Sequence, residues 1–219
     1  MKTSIMPSQA IGRVTGAALL LAALSVPTHA QVCVGAPANG GISYQNGAES
    51  FGTSHGASAS FTPGRMGLEL SGRASDFGDD ESGYAGAFRL TIALGGRLKI
   101  CPTFGLGGER RTWDISASSQ LTTNELSGRG GLAAGYEFPI GKSAGIAPFA
   151  IVEYVHRVTH LDARIANTEP NDSGVQDGDT EAAVGLLARY ARFYGGIALT
   201  HPLKDAPTTT RRLFIGVGF

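Results

Sequence analysis

Apolar residues alternate with small or polar ones along most of the chain beyond residue 60. Tyr84, Gly86, Phe88, Leu90, Ile92 and Leu94 interleave with Ala85, Ala87, Arg89, Thr91 and Ala93, the period of two that gives a strand one apolar face. The same pattern sets Met66, Leu68 and Leu70 against Glu69, Ser71 and Arg73, and Leu98, Ile100, Phe104 and Leu106 against Lys99, Cys101 and Thr103. It returns with Leu132, Ala134 and Tyr136 opposing Arg129 and Ala133, with Ala150, Val152 and Tyr154 opposing Phe149 and Glu153, and with Val184, Leu186 and Tyr190 opposing Arg189. These periods predict ten strands: 41–46, 51–61, 65–75, 83–94, 97–116, 125–138, 146–161, 181–190, 193–200 and 211–219. The first two are rich in Gly and Ser, so an eight-stranded alternative, with that segment as one irregular strand or a plug, stays open.

A soluble sandwich would hide the apolar face between two sheets, whereas a membrane barrel turns it to lipid and keeps charge inside. The opposite face here is mostly Gly, Ala and Ser with single Arg or Glu residues, a composition suited to a narrow lumen rather than a solvated sheet. Tight turns at 62–65, 95–96, 139–145 and around Ala191 alternate with polar stretches at 76–82, 117–124, 165–180 and 201–210, the short-turn, long-loop rhythm of outer-membrane barrels. Phe61, Tyr136, Phe138, Tyr190, Phe193 and Phe219 fall beside the tight turns, where an interfacial aromatic girdle belongs. The expected fold class is therefore all-β, a transmembrane antiparallel up-and-down β-barrel of ten strands over 40–219.

Ahead of it, Lys2 and Arg13 precede an apolar run near 17–26 and the small residues Thr28 and Ala30, which reads as a signal peptide over 1–30 rather than an anchor. A short periplasmic segment, 31–39, follows. With 32 glycines in 219 residues and 16% charged side chains the chain is neither helical-bundle-like nor charge-disordered, and 18 basic against 18 acidic residues leave no footprint for nucleic acid.

The ending Leu213-Phe214-Ile215-Gly216-Val217-Gly218-Phe219, apolar at Leu213, Ile215, Val217 and Phe219, resembles the end of bacterial outer-membrane β-barrel proteins. Together with the leader and the loop rhythm, the chain from about residue 40 resembles the small outer-membrane barrel superfamily of OmpA, OmpX and opacity-type domains. While the even number of expected strands puts both termini on the periplasmic rim, that resemblance implies a Gram-negative outer-membrane location and recognition of the four terminal apolar residues by the barrel-assembly machinery. It implies lipid as the surrounding partner and says little about activity.

Chemistry has few candidates. Cys33 and Cys101, in an exported chain, read as a disulfide, with two free thiols the alternative. Inward parity collects Glu69, Arg73, Arg89, Lys99, Glu109, Arg111, Arg129, Glu137, Glu153, Arg157, Arg189 and Arg212, eight basic against four acidic. Buried in a barrel these are costly unless paired, so they read as an ion-pair network that plugs the lumen, or else as the lining of a narrow, porin-like anion-favouring pore. His160 and Asp162 share a face but match no hydrolytic motif, and the acidic runs 76–81 and 169–179 lack regular metal-ligand spacing. The expectation is a monomer without catalytic, cofactor or metal site, in a structural or surface-interaction role, meeting an extracellular ligand through its loops. A pore is the second reading, and a lipid A-modifying or proteolytic enzyme the third.

Overall fold

In the computed structural model, residues 33–36, 40–49, 52–78, 81–95, 98–116, 119–164, 171–204 and 209–219 are described. The expected signal peptide, 1–30, and most of the expected segment 31–39 lie outside them. Eleven strands follow one another: β1 (Gly40–Glu49), β2 (Gly52–Phe61), β3 (Met66–Asp76), β4 (Glu81–Ile92), β5 (Leu98–Ser116), β6 (Ser119–Tyr136), β7 (Phe138–Ile140), β8 (Ala144–Arg164), β9 (Asn171–Tyr190), β10 (Phe193–Pro202) and β11 (Thr210–Gly218). Apart from β6 and β7, sequence neighbours pair antiparallel, β6 pairs directly with β8, and β1 pairs with β11, so ten strands close a barrel. The three-residue β7 is a side arm on the start of β8.

The eight-stranded alternative is overturned, because β1 and β2 pair in unbroken register from Gly40↔Phe61 to Glu49↔Gly52. Their Gly and Ser content weakens the strand pattern without weakening the ladder, and inside the barrel Ser43 and Ser58 share a hydroxyl hydrogen bond of 2.8 Å.

The exterior is apolar. Leu70, Leu106 and Ile215 are about two-thirds exposed, and so many large apolar side chains share this surface that it far exceeds what a water-facing monomer presents. On β5 the outward residues run Leu98, Ile100, Pro102, Phe104, Leu106, Gly108 before reaching Arg110. Ten steps of ~3.3 Å, tilted by ~40°, give an apolar band of ~25 Å, the height of a membrane-barrel belt. Phe61, Phe138, Tyr190, Phe193 and Phe219 are exposed at the short-turn rim, as an interfacial girdle requires. No helix of the described residues is long and apolar enough to cross a membrane.

The strands are unequal. β5, β6, β8 and β9 have 19, 18, 21 and 20 residues, whereas the other barrel strands have 9 to 12. Four adjacent strands thus rise beyond the lipid belt as a wall along one side of the long-loop rim. Two stretches expected to be loops belong to it: β6 starts at Ser119 rather than Glu125, and β9 at Asn171 rather than Glu181. Above the membrane both faces of a sheet are wetted, so the apolar alternation ends while the backbone ladder continues.

Candidate functional site: the lumen

Inward-facing residues divide the lumen into two storeys. The lower, toward the short-turn rim, is apolar: Phe149, Ile151, Leu187, Tyr194 and Phe214 pack around Cys33, Val34 and Ala36. Cys33 and Cys101 are joined by a disulfide with their Cα atoms 6.2 Å apart, and both are fully buried. The N-terminal turn is therefore stapled to β5 inside the barrel. Gly35 has φ +75°, and any side chain there would overlap the Phe149 ring, so glycine lets the turn lie flat against that ring.

The upper storey is charged. Two pairs of glutamates lie directly opposite one another across neighbouring strands, Glu109↔Glu125 on β5 and β6 and Glu153↔Glu181 on β8 and β9. Like charges so placed repel, and the arginines answer each pair. Arg73 reaches Glu109 at 2.8 Å from β3, with Arg111 on the same carboxylate. Arg157 bridges the two glutamate pairs, touching Glu125 at 3.5 Å and hydrogen-bonding Glu181. Arg89, from β4, donates to Glu153 on β8 at 3.0 Å and lies 3.9 Å from Glu69, while Arg129 approaches Glu153 at 3.6 Å and the Thr103 hydroxyl donates to it at 2.8 Å. Two strands separate β4 from β8, so the Arg89–Glu153 contact crosses the lumen rather than running along its wall.

The crossing residues Arg89, Arg129 and Glu153 also line a cavity of about 480 Å³, together with Arg73, Arg111, Arg157, Arg212 and the other glutamates, with Ser54, Ser71 and Ser127 between them. Arg212 reaches the Gln45 side chain at 3.5 Å. Arg189 and Glu137 form a separate pair at 3.0 Å on strand ends near the short-turn rim, and Lys99, half-buried, makes no ion pair among the described residues. The twelve inward charges thus form several clusters rather than one network.

Two further carboxylates line the lumen cavity, Glu125 and Glu181, which the strand boundaries expected from sequence left at their very ends. Parity would have found them: Glu125 is four residues from Arg129 and Glu181 eight from Arg189, each on the inward register. They raise the acids from four to six against eight bases, so the lumen is closer to neutral than the sequence suggested. His160 and Asp162 lie on the outer face of β8; Asp162 accepts a 3.5 Å contact from Asn124, and His160 sits opposite Asn124 and Gly174. Among the described residues no three His, Cys, Asp or Glu side chains gather as a metal site.

No protein-family model matches the chain, and no curated protein matches it in sequence. Solved structures similar to it are membrane barrels. The translocator domain of the autotransporter NalP from Neisseria meningitidis shares 10% identity over 96% of this chain and 98% of that one, at a TM-score of 0.48. The KdgM porin shares 12% over 82% and 99%, at 0.39, and the N-terminal β-barrel domain of Pseudomonas aeruginosa OprF 12% over 82% and 96%, at 0.36. The function has to come from the site itself.

Proposed function

We propose that this protein is a monomeric outer-membrane barrel whose lumen is closed at rest and whose role is structural or surface-interacting. The observation that carries the closed lumen is Arg89 spanning from β4 to Glu153, directly above an apolar storey filled by the stapled segment at Cys33. A guanidinium held between two carboxylates with a second arginine beside it narrows the passage, and the apolar packing below it supports the same reading. On this reading residues 1–30 direct export, both termini face the periplasm, and Leu213, Ile215, Val217 and Phe219 serve recognition by the assembly machinery. The raised wall and long loops then meet the extracellular partner.

Planar-bilayer recording tests it. The intact protein is expected to give negligible conductance, and shortening Arg89 and Arg129 to alanine together with Cys33→Ser is expected to open a measurable current. Stable anion-selective channels from the unmodified protein would replace this reading with the second, a narrow pore, which the 480 Å³ cavity and the excess of basic groups favour.

A further inference from the structure

The outer face of the barrel carries one region that does not match the rest of the lipid belt. In register across three neighbouring strands, Gly72 on β3 faces Gly86 on β4, which faces Gly108 on β5. The depression continues one and two rows lower on β6 with Gly128 and Gly130, which lie opposite Leu106 and Phe104. A side chain added at any of these five would find its nearest neighbour 3.6 to 4.0 Å away, ordinary contact or open space. Other barrel glycines are crowded: at Gly131 and Gly196 a Cβ would overlap a neighbouring strand's carbonyl oxygen. The five outward glycines therefore answer no packing need of the chain, and in a surface otherwise built of Leu, Ile and Phe they leave a trough.

Directly above that trough, toward the long-loop rim, the next row is polar and basic. Tyr84, Arg110, Asn124 and His160 face one another in unbroken register on β4, β5, β6 and β8. His156 projects from β8 beside Gly128, on the same outer face. Arg110, His156 and His160 are exposed, and Arg110 stands immediately past the ~25 Å apolar band, at headgroup depth. One row higher, Asp162 accepts from Asn124 at 3.5 Å and lies opposite Asp172 on β9.

We propose that this face binds one phosphorylated lipid, its phosphate on Arg110, Asn124 and His160 and an acyl chain lying in the glycine trough. Guanidinium, amide and imidazole are donors matched to phosphate oxygens. The trough starts where the headgroup row ends and descends into the apolar band, which is the shape of a lipid rather than of a soluble anion. A second copy of the chain is a poorer occupant, because pressing two such faces together would bring Arg110 against Arg110 and the imidazoles against each other. The inference rests on the membrane-barrel reading and is independent of whether the lumen conducts.

The test uses the full chain inserted into phosphatidylcholine nanodiscs containing diphosphorylated lipid A or its dephosphorylated form, with lipid retention counted by native mass spectrometry after mild detergent extraction. Retention of the phosphorylated form is expected to exceed that of the dephosphorylated form by about tenfold or more, and Arg110→Ala with His160→Ala to erase the difference. Gly128→Leu, and independently Gly86→Leu on another strand, are expected to abolish retention with every charge in place. Equal retention of the two lipids, or retention unchanged in inserted and heat-modifiable trough variants, would overturn the proposal. So would a wild-type dimer that Gly128→Leu converts to monomer. Failure of the wild-type chain to insert at all would instead count against the membrane-barrel reading.

Discussion

Glu153 is the point on which the charged storey turns, and its replacement tests whether the crossing holds the barrel together. Its carboxylate is 4% exposed and receives Arg89 at 3.0 Å, Arg129 at 3.6 Å and the Thr103 hydroxyl at 2.8 Å. Glu153→Gln keeps the shape and leaves two guanidinium groups facing one neutral amide. Removing one partner of a buried ion pair costs about 3–5 kcal/mol, since the desolvation of the remaining charge is no longer offset. Arg89 retains Glu69 at 3.9 Å, so the lower end of that range, ~3 kcal/mol, is expected. Removing the whole cluster behaves differently: in a Glu69→Gln background, the triple Arg89→Met, Arg129→Met and Glu153→Leu is expected to recover stability to within ~1 kcal/mol of wild type, because apolar replacement of a complete buried cluster is often neutral. Urea unfolding from lipid vesicles, read by the fluorescence of Trp113, the chain's one tryptophan, measures both. A loss below ~1 kcal/mol for Glu153→Gln, or a triple variant less stable than the single one, would show that the crossing is not a desolvated charge cluster.

Other consequences are as direct. Phe104→Arg, on the lipid face near the middle of the apolar band, is expected to cost ~2–4 kcal/mol in vesicle unfolding, whereas Thr103→Ala, one residue away on the lumen side, loses one hydrogen bond, ~1 kcal/mol; a reversed order would mean the faces are assigned inside out. Non-reducing peptide mapping of exported protein should recover Cys33 and Cys101 in one cross-linked species, and two free thiols would contradict the staple. Gly131→Ala, whose methyl group would overlap the Val152 carbonyl, is expected to slow or block formation of the heat-modifiable barrel, while Gly86→Ala leaves it intact, checked by mobility with and without boiling.

Inside the membrane each residue has one lipid side and one lumen side, so composition alternates and the sequence reports both the strand and its face: Leu68, Leu70, Leu90, Phe104 and Leu132 all lie outside, Arg89, Thr103 and Glu153 inside. The signal fades where that contrast does. Residues 119–124 and 171–180 lie past the apolar band, and they hold to their ladders through backbone hydrogen bonds that leave no mark in side-chain pattern. The same blind spot left Glu125 and Glu181 at the very starts of their expected strands and made the lumen look more basic than it is.

Face is a property of one strand, but partnership belongs to the closed barrel. Parity put Arg89 and Glu153 on the inside without saying that they meet, because the distance across the lumen depends on strand number and stagger together. The glycines illustrate the same limit. Gly128 and Gly131 are three residues apart on β6 and alike in sequence, yet they face opposite ways. Gly131 is required because the backbone at Val152 and Glu153 crowds it, whereas Gly128 has open space and no internal reason to lack a side chain. What an absent side chain makes room for can be asked only once the neighbouring strand is in place.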